Sequence, residues 1–473
     1  MNPLKKLAGH TVVYGLSSVV GRLLNYLLVP LYTRFFAPSD YGIVTEMYAY
    51  VAFLIVLLTY GFETAFFNFS KTEKHKSNVY STALISLSIS SLFFISLSLF
   101  YSQEISDWMG FGVKAKYVQW FAIIIGLDAI SSISFAKLRE QEKAIKFAII
   151  KLVNILVNIA LNIYFIVLKG FGIEYIFIAN LISSIITILL FTPEMLTSKL
   201  YFDKVLWRKM IAYSLPLLIA GLAGMINETI DRILLKQLLY NTESVASEIG
   251  LYGAFYKISI IMLLFIQTFR FAAEPFFFSH HKEKDDRKVY ADVMKYFTIV
   301  TIIIFLSVTI FYDVVIGFLG KSYHDERGFL VVSILLLANL FLGLYYNLSI
   351  WYKLTDKTRF GAYISIFGAT ITLLLNFILI PKIGFIGSAI ATLVCYFSMT
   401  VASYVIGKKH FPIPYQIARI SIYLIIMIAI YFIVYFFDLN TGINSIFLIG
   451  FIIFAYILEK PKQYTNYESE NYQ

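Results

Sequence analysis

Charged side chains inside apolar stretches are the residues of this sequence with the clearest chemical potential. Placing a charge in the hydrocarbon of a bilayer is costly, so such a side chain needs a partner or a water-filled cavity. Arg22 lies in the middle of an apolar stretch, and Ser18 and Asn25 share its helical face. No acidic residue lies three or four positions from Arg22. We therefore predict that Arg22 is a cation that lines a cavity, with Asn25 beside it.

The other charges in apolar stretches have simpler alternatives. They are Glu46, Glu63, Asp128, Lys151, Glu228, Asp231, Arg232, Lys257, Arg270 and Glu274. Two pairs, Glu228–Arg232 and Arg270–Glu274, are spaced four residues apart, so each pair is able to neutralise itself without a ligand. Lys151 is expected to extend to the membrane surface. The amides that follow it at helical spacing, Asn154, Asn158 and Asn162, are more typical of helix packing than of a substrate site.

Sequence motifs for covalent chemistry are missing. The sequence contains no phosphate-binding glycine loop and no His/Cys cluster with the spacing of metal ligands. The single cysteine, Cys395, excludes a disulfide within the chain. We predict no catalytic residue, no metal, no cofactor and no enzymatic activity, which leaves the movement of a solute.

Composition places these residues in a membrane. The chain has 473 residues, of which 59% are hydrophobic and 14% charged, with a mean hydropathy of +0.75. Soluble domains carry about 25% charged residues. Apolar runs long enough to span a bilayer predict about 14 helices, near residues 10–33, 42–66, 79–101, 117–136, 147–168, 174–193, 210–238, 252–277, 293–312, 329–350, 361–381, 385–406, 417–437 and 443–458.

The net charge of +10 is carried mainly by short loops between these runs. Such cations set topology in membrane proteins, so we predict no nucleic-acid partner. Alternate loops are rich in Lys and Arg, which predicts that both termini lie in the cytoplasm.

An internal repeat organises the helices. Tyr41-Gly42 and Glu63 recur 211 residues later as Tyr252-Gly253 and Glu274, and further landmarks recur at a nearly equal offset. Two copies with the same starting side are typical of transporters with a site between the halves. The predicted domains are residues 1–194 (six helices), 195–208 (cytoplasmic linker), 209–410 (six helices), 411–458 (two extra helices) and 459–473 (cytoplasmic tail). Because their positions repeat, Glu63 and Glu274 are predicted to act together at an inner gate.

Three motifs resemble one transporter family. They are PLYTRFFAPSDYG at residues 30–42, YSLP at residues 213–216 and NFILIPKIGFIG at residues 376–387. Together they resemble the oligosaccharide flippase (Wzx-type) branch of the multidrug/oligosaccharidyl-lipid/polysaccharide exporter superfamily, over nearly the whole chain. The resemblance implies an all-α polytopic membrane protein with two six-helix lobes in a V-shaped arrangement, plus two C-terminal helices.

The resemblance also implies a function. A flippase of this branch moves a polyprenyl-diphosphate-linked oligosaccharide from the cytoplasmic to the periplasmic leaflet by alternating access, for surface polysaccharide such as O-antigen or capsule. It implies residence in the bacterial inner membrane, contact with membrane lipid and possible association with a polysaccharide polymerase. Residues expected to bind the diphosphate and sugar are Arg22, Asn25, Arg232, Lys257 and Arg270. Residues expected to serve gating or coupling are Glu63, Glu274 and Asp231.

Alternative functions predict different residues. A drug/cation antiporter of the same fold needs an acidic ion site in the amino-terminal half, for which Glu46 and Asp128 are the central candidates. A net positive cavity favours the flippase, and a net negative cavity favours the antiporter. A membrane glycosyltransferase or polymerase needs large external loops, which the sequence lacks. A scaffold without transport leaves the intramembrane charges unexplained.

Overall fold

The computed structural model of the protein describes residues 20–21, 23–72, 76–110, 113–197, 200–239, 245–280, 286–437 and 440–460. These residues form helices joined by short connections and contain no strand. The helices are α1 Leu28–Phe35, α2 Pro38–Thr59, α3 Phe62–Thr72, α4 Lys76–Phe100, α5 Ser102–Met109, α6 Ala115–Glu140, α7 Ala144–Asn162, α8 Glu174–Leu196, α9 Lys204–Leu238, α10 Val245–His280, α11 Asp286–Ile310, α12 Tyr312–Ile316, α13 Gly328–Leu348, α14 Ile350–Leu354, α15 Arg359–Ile383, α16 Phe385–His410, α17 Ile417–Phe437 and α18 Thr441–Glu459.

The membrane assignment from the sequence is confirmed. Among the described residues, 13 helices are long and apolar enough to cross a bilayer. They correspond to 13 of the predicted spans, and the remaining one, near residues 10–33, lies partly outside the described residues. The chain is a multi-pass, all-α membrane protein, because only helices satisfy every backbone hydrogen bond within such a span.

One predicted span is interrupted. The sequence predicts a single helix over residues 42–66, but the helix ends at Thr59 and α3 begins at Phe62. Between them Tyr60 and Gly61 have φ of 35° and 73°, in the left-handed region. No proline marks this break in the sequence. Gly61 lies against Ser214 and Leu217 of α9, so packing between distant segments accompanies the interruption.

The helices fall into two compact units. The first contains Met1–Lys282 and Ile316–Pro412, and the second contains Glu283–Val315 and Ile413–Gln473. Thus α11 belongs with α17 and α18. The boundaries of these two units differ from those of the two six-helix lobes predicted from the sequence. The division into those lobes stays a prediction. Within the second unit, Lys295 lies 2.6 Å from Glu459, which also accepts a hydrogen bond from Tyr423, so ionic contacts join its three helices.

Within the first unit, α2 and α10, which are equivalent in the repeat, cross in very close contact. A Cβ atom on Gly42 would lie 1.8 Å from the carbonyl oxygen of Ala246. A Cβ atom on Gly250 would lie 1.9 Å from that of Pro38. Only glycine fits at such an approach of two backbones. This crossing brings the two halves of the repeat together beside the cavity described next.

Candidate functional site

A cavity of about 390 Å³ lies in the first unit, enclosed by residues from both halves of the repeat. The amino-terminal half contributes α1, α2, α7, α8 and, from a short helical segment before α1, Asn25; the carboxy-terminal half contributes α9 and α10. All of the charged residues in its described lining come from the carboxy-terminal half: Glu228, Arg232 and Lys257. Two cations and one carboxylate give this lining a net positive charge.

Arg232 is held in place by its surroundings on α9 and α10. Its Nη1 donates a hydrogen bond of 2.9 Å to the backbone oxygen of Glu228. Its guanidinium carbon lies 3.9 Å from the centre of the Tyr256 ring, and Nη1 lies 3.6 Å from Asp231 Oδ1. The backbone carbonyl of Glu228, and not its carboxylate, accepts the hydrogen bond from the arginine. The ion pair between these two side chains, which the sequence spacing allows, is therefore not formed.

Lys257 lies one residue beyond Tyr256 on α10 and is half-buried. Among the described residues, its ammonium group has no hydrogen-bond or ion-pair partner. The side chain of Glu228 is exposed and likewise forms no ion pair with a described residue. A half-buried cation without a protein partner is costly unless water or a ligand surrounds it. Lys257 is thus available to an anion in the cavity.

The amino-terminal half lines the same cavity with neutral polar groups. Four carboxamides face it, from Asn25, Asn154, Asn158 and Asn180. Tyrosine and threonine hydroxyls from Tyr32, Tyr41, Tyr48 and Thr45 accompany them. The described residues of this half contribute no charged side chain to the lining.

Asp231 lies behind the cavity rather than in its lining. The hydroxyl of Tyr252 donates to its Oδ2, and the backbone N–H of Arg232 donates to its Oδ1 at 2.8 Å. Both residues are buried. Tyr252 belongs to the repeated Tyr-Gly motif, so the motif fixes the carboxylate that lies next to Arg232. The gating or coupling role predicted for Asp231 stays a prediction.

The remaining predicted site residues lie elsewhere. Arg270 contacts the Tyr346 ring at 4.0 Å and lines a separate small pocket with residues of α13 and α14. Glu63 forms an ion pair with Arg139 at the end of α6. Arg22 and the side chain of Glu274 lie outside the described residues. The structure therefore brings together Asn25, Arg232 and Lys257, and it separates Arg270 from them.

The two acids required by the antiporter alternative do not line the cavity. Glu46 of α2 accepts hydrogen bonds from Lys236 of α9 at 2.7 and 2.8 Å, and both side chains are buried. Asp128 of α6 accepts a hydrogen bond of 2.8 Å from Ser184 of α8.

The sequence missed several lining residues. Asn180 and Tyr48, which share a hydrogen bond of 2.9 Å, are single polar residues in apolar helices and carry no distinctive spacing. They come together because α2 and α8 both pack against α6. For Tyr41, and for Tyr256 four residues after Tyr252, the repeated Tyr-Gly motif is the feature of the sequence that points to the region of the cavity.

Comparisons with known proteins identify a family and a set of structures with the same fold. A family model described as polysaccharide biosynthesis protein matches residues 7–281. The solved structure of the lipid II flippase MurJ in an inward closed conformation is similar, with a TM-score of 0.76 and 17% identity over 94% of this chain and 98% of that one. None of the curated protein sequences matches the chain.

Transporters of a second kind are also similar. The inward-facing structure of a multidrug resistance MATE family transporter of the MOP superfamily gives a TM-score of 0.66 at 14% identity, over 87% of this chain and 95% of that one. An outward-facing structure gives 0.60 at 13% identity, over 89% and 98%. At such low identity these likenesses show a shared fold.

Proposed function

This chain belongs to the polysaccharide biosynthesis protein family, and we propose on that basis that it is a flippase for polyprenyl-diphosphate-linked oligosaccharide. It turns the glycan from the cytoplasmic to the periplasmic leaflet of the bacterial inner membrane by alternating access, for surface polysaccharide. One observation carries the proposal: a cavity among membrane-spanning helices, with Arg232 and Lys257 in its lining.

The charges of the cavity suit a diphosphate. Arginine presents a planar fork of donors that matches two phosphate oxygens, and lysine adds a compact positive charge. Both cations act in a medium of low polarity, where an ion pair is stronger than in water. The polyprenyl chain is as apolar as the lipid tails, so it has no need to enter the cavity. Arg22 joins this site only as a prediction from the sequence.

Replacing Lys257 tests the proposal. In Lys257→Gln the cavity loses a cation that has no described protein partner, so the fold should be kept while the diphosphate loses a charge-assisted contact. We expect the rate of flipping of a polyprenyl-diphosphate-linked sugar into proteoliposomes to fall by about tenfold or more. Surface glycan in cells should fall as well.

The matched control is Lys382→Gln, which removes an exposed cation at the end of α15, away from the cavity lining. Its rate should equal that of the wild type. Normal flipping by Lys257→Gln at equal protein level would remove the main support for the proposal.

The drug/cation antiporter is the second candidate, and one observation favours it: Glu228 presents an exposed carboxylate to the same cavity. Glu228 lies in the carboxy-terminal half, not in the amino-terminal half where the sequence predicts the ion site of an antiporter, but it is the one acid in the described lining. An antiporter that uses this cavity depends on that acid, whereas a flippase depends on the cations. Glu228→Gln should therefore abolish export of a cationic dye if the chain is an antiporter. For a flippase the same change leaves lipid-linked sugar flipping intact or raises it, since a negative charge near the diphosphate is lost.

A further inference from the structure

The amides of the cavity are not equally engaged with the protein. Each carboxamide offers two N–H donors and an oxygen acceptor. Asn154 uses its nitrogen in hydrogen bonds of 3.0 and 2.9 Å to the Ser183 carbonyl and the Thr187 hydroxyl of α8. It therefore joins α7 to α8, in the packing role that the sequence pattern predicts for this face.

Three other amides keep unused hydrogen-bonding groups. Asn25 is exposed and forms no hydrogen bond with a described residue. Asn158 accepts from Asn162 Nδ2 at 3.0 Å through Oδ1, which leaves its nitrogen without a described partner. Asn180 donates to Tyr48, which leaves its oxygen without one. These groups lie in the lining of a single cavity, so helix packing does not account for them.

Their chemistry differs from that of the cations. Carboxamides donate and accept without charge, as sugar hydroxyl and acetamido groups do, so the two sets are complementary. The described charges of the lining lie on α9 and α10, while the three amides come from the amino-terminal half. A ligand that crosses the cavity meets charge in one region and neutral hydrogen-bonding groups in another.

The size of the cavity limits what it encloses. A volume of about 390 Å³ lies near the lower end of small-molecule sites, which range over roughly 300–1,000 Å³. Such a space holds the part of a lipid-linked glycan next to the diphosphate and not a long oligosaccharide.

We propose that Asn25, Asn158 and Asn180 form a subsite for an uncharged sugar, the one attached directly to the diphosphate. This assignment rests on the proposed flippase function. Arg232 and Lys257 hold the diphosphate, and the amides recognise the hydroxyl or acetamido groups of the first sugar. The subsite favours a sugar with neutral hydrogen-bonding groups, because carboxamides supply no charge that would pair with a carboxylate.

Binding measurements on the purified full chain in nanodiscs test the subsite. Three probes share one polyprenyl chain: the bare diphosphate, the diphosphate linked to N-acetylglucosamine and the diphosphate linked to glucuronic acid. We expect the wild type to bind the N-acetylglucosamine probe about tenfold more tightly than the bare diphosphate. The glucuronic acid probe should gain no such preference.

The variant Asn25→Leu/Asn158→Leu should reduce that preference to about onefold while its affinity for the bare diphosphate is unchanged. Asn25→Leu alone, which breaks no described hydrogen bond, should reduce it part of the way and serves if the double variant is unstable. Asn78→Leu, at the first turn of α4, changes an amide outside the cavity and should keep the full preference.

The outcomes separate the two proposals. A wild type that binds the bare and sugar-linked diphosphates equally overturns the subsite and leaves the flippase standing. A preference that survives in the Asn25 and Asn158 variants also overturns the subsite. If no probe binds, or if Lys257→Gln binds the bare diphosphate as well as the wild type does, the flippase proposal fails and the subsite fails with it.

Discussion

Arg232 is fixed by contacts that use different parts of its side chain. One edge donates to the Glu228 carbonyl, the face lies over the Tyr256 ring, and the Asp231 carboxylate is 3.6 Å away. A guanidinium is planar and more weakly hydrated than an ammonium, so it is suited to stacking on an aromatic ring in a site of low polarity. Little side-chain entropy remains for a ligand to remove when it binds.

The variants Arg232→Lys and Arg232→Gln distinguish charge from geometry. Lysine keeps the positive charge but loses the planar face over Tyr256 and the forked donors. We expect the flipping rate to fall in the order wild type, Arg232→Lys, Arg232→Gln, with the lysine variant lower by about tenfold. Initial rates in proteoliposomes at equal protein density measure the effect. A lysine variant equal to the wild type would mean that charge alone matters at this position.

The sequence predicts some of the residues that line the cavity correctly and assigns others to it that lie elsewhere. The reason is the position of each residue along its helix. Lys257 and Arg270 are both cations in one apolar stretch, and the sequence predicts the same role for both. Thirteen residues of helix separate them, which corresponds to about 20 Å along the axis of α10. Only one of them lies at the depth of the cavity, and the sequence does not give that depth. The sequence does not predict Asn180, because a single amide in an apolar helix forms no periodic pattern of polar residues.

At the scale of the helices, α2 contacts the carboxy-terminal half through a close backbone approach and through a buried ion pair. Gly42 allows its backbone to approach α10 at Ala246. One turn later, Glu46 forms an ion pair with Lys236 of α9. Their side chains are 3% and 6% exposed. Burial removes most of the water from both charges, so either charge left alone would be strongly destabilising.

A double-mutant cycle measures this contact. Glu46→Leu or Lys236→Met alone should each destabilise the fold by about 3–5 kcal/mol, because each leaves one charge buried without its partner. The double variant should recover most of the loss, since two apolar side chains replace the pair. Thermal unfolding in detergent micelles provides the readout.

Glu174→Gln supplies the control for the cycle. It breaks a partly exposed pair with Lys116, in which the side chains of Lys116 and Glu174 are 39% and 29% exposed, so it should change stability by less than about 1 kcal/mol. Additive losses in the double variant would show that Glu46 and Lys236 do not depend on each other.

The break between α2 and α3 shows where sequence patterns lose their power. The apolar run continues through Tyr60 and Gly61, so hydropathy predicts one helix. The helix nevertheless ends there, where Gly61 meets α9 at Ser214 and Leu217. Gly61 adopts the left-handed conformation that glycines take at helix ends, but one glycine in an apolar run does not by itself predict that a helix ends.

For the whole molecule, the resemblance inferred from three short motifs is confirmed at the level of family and fold. Apolar runs of bilayer length and the internal repeat carry enough information to specify a polytopic helical transporter fold. The cavity is different, because its lining combines residues that are spread along the chain from Asn25 to Leu263. Its composition depends on how the helices rotate about their axes, which a faint repeat does not encode.

Orientation in the membrane is the property on which the direction of transport depends, and the helix count makes it testable. Five helices long and apolar enough to span a bilayer separate Lys143 from Lys321, so we expect these two exposed residues to lie on opposite sides. The loops on the side of Lys143 carry more Lys and Arg, which predicts that this side is cytoplasmic.

Cys395 is buried, and replacing it with alanine leaves a background for single-cysteine variants. In intact spheroplasts, Lys321→Cys should react with a membrane-impermeant maleimide. Lys143→Cys should react only after the membrane is permeabilised. The reverse pattern would invert the orientation, and with it the prediction that Glu63 lies at an inner gate. Labelling of both positions from one side would mean that one of the five helices does not cross the bilayer.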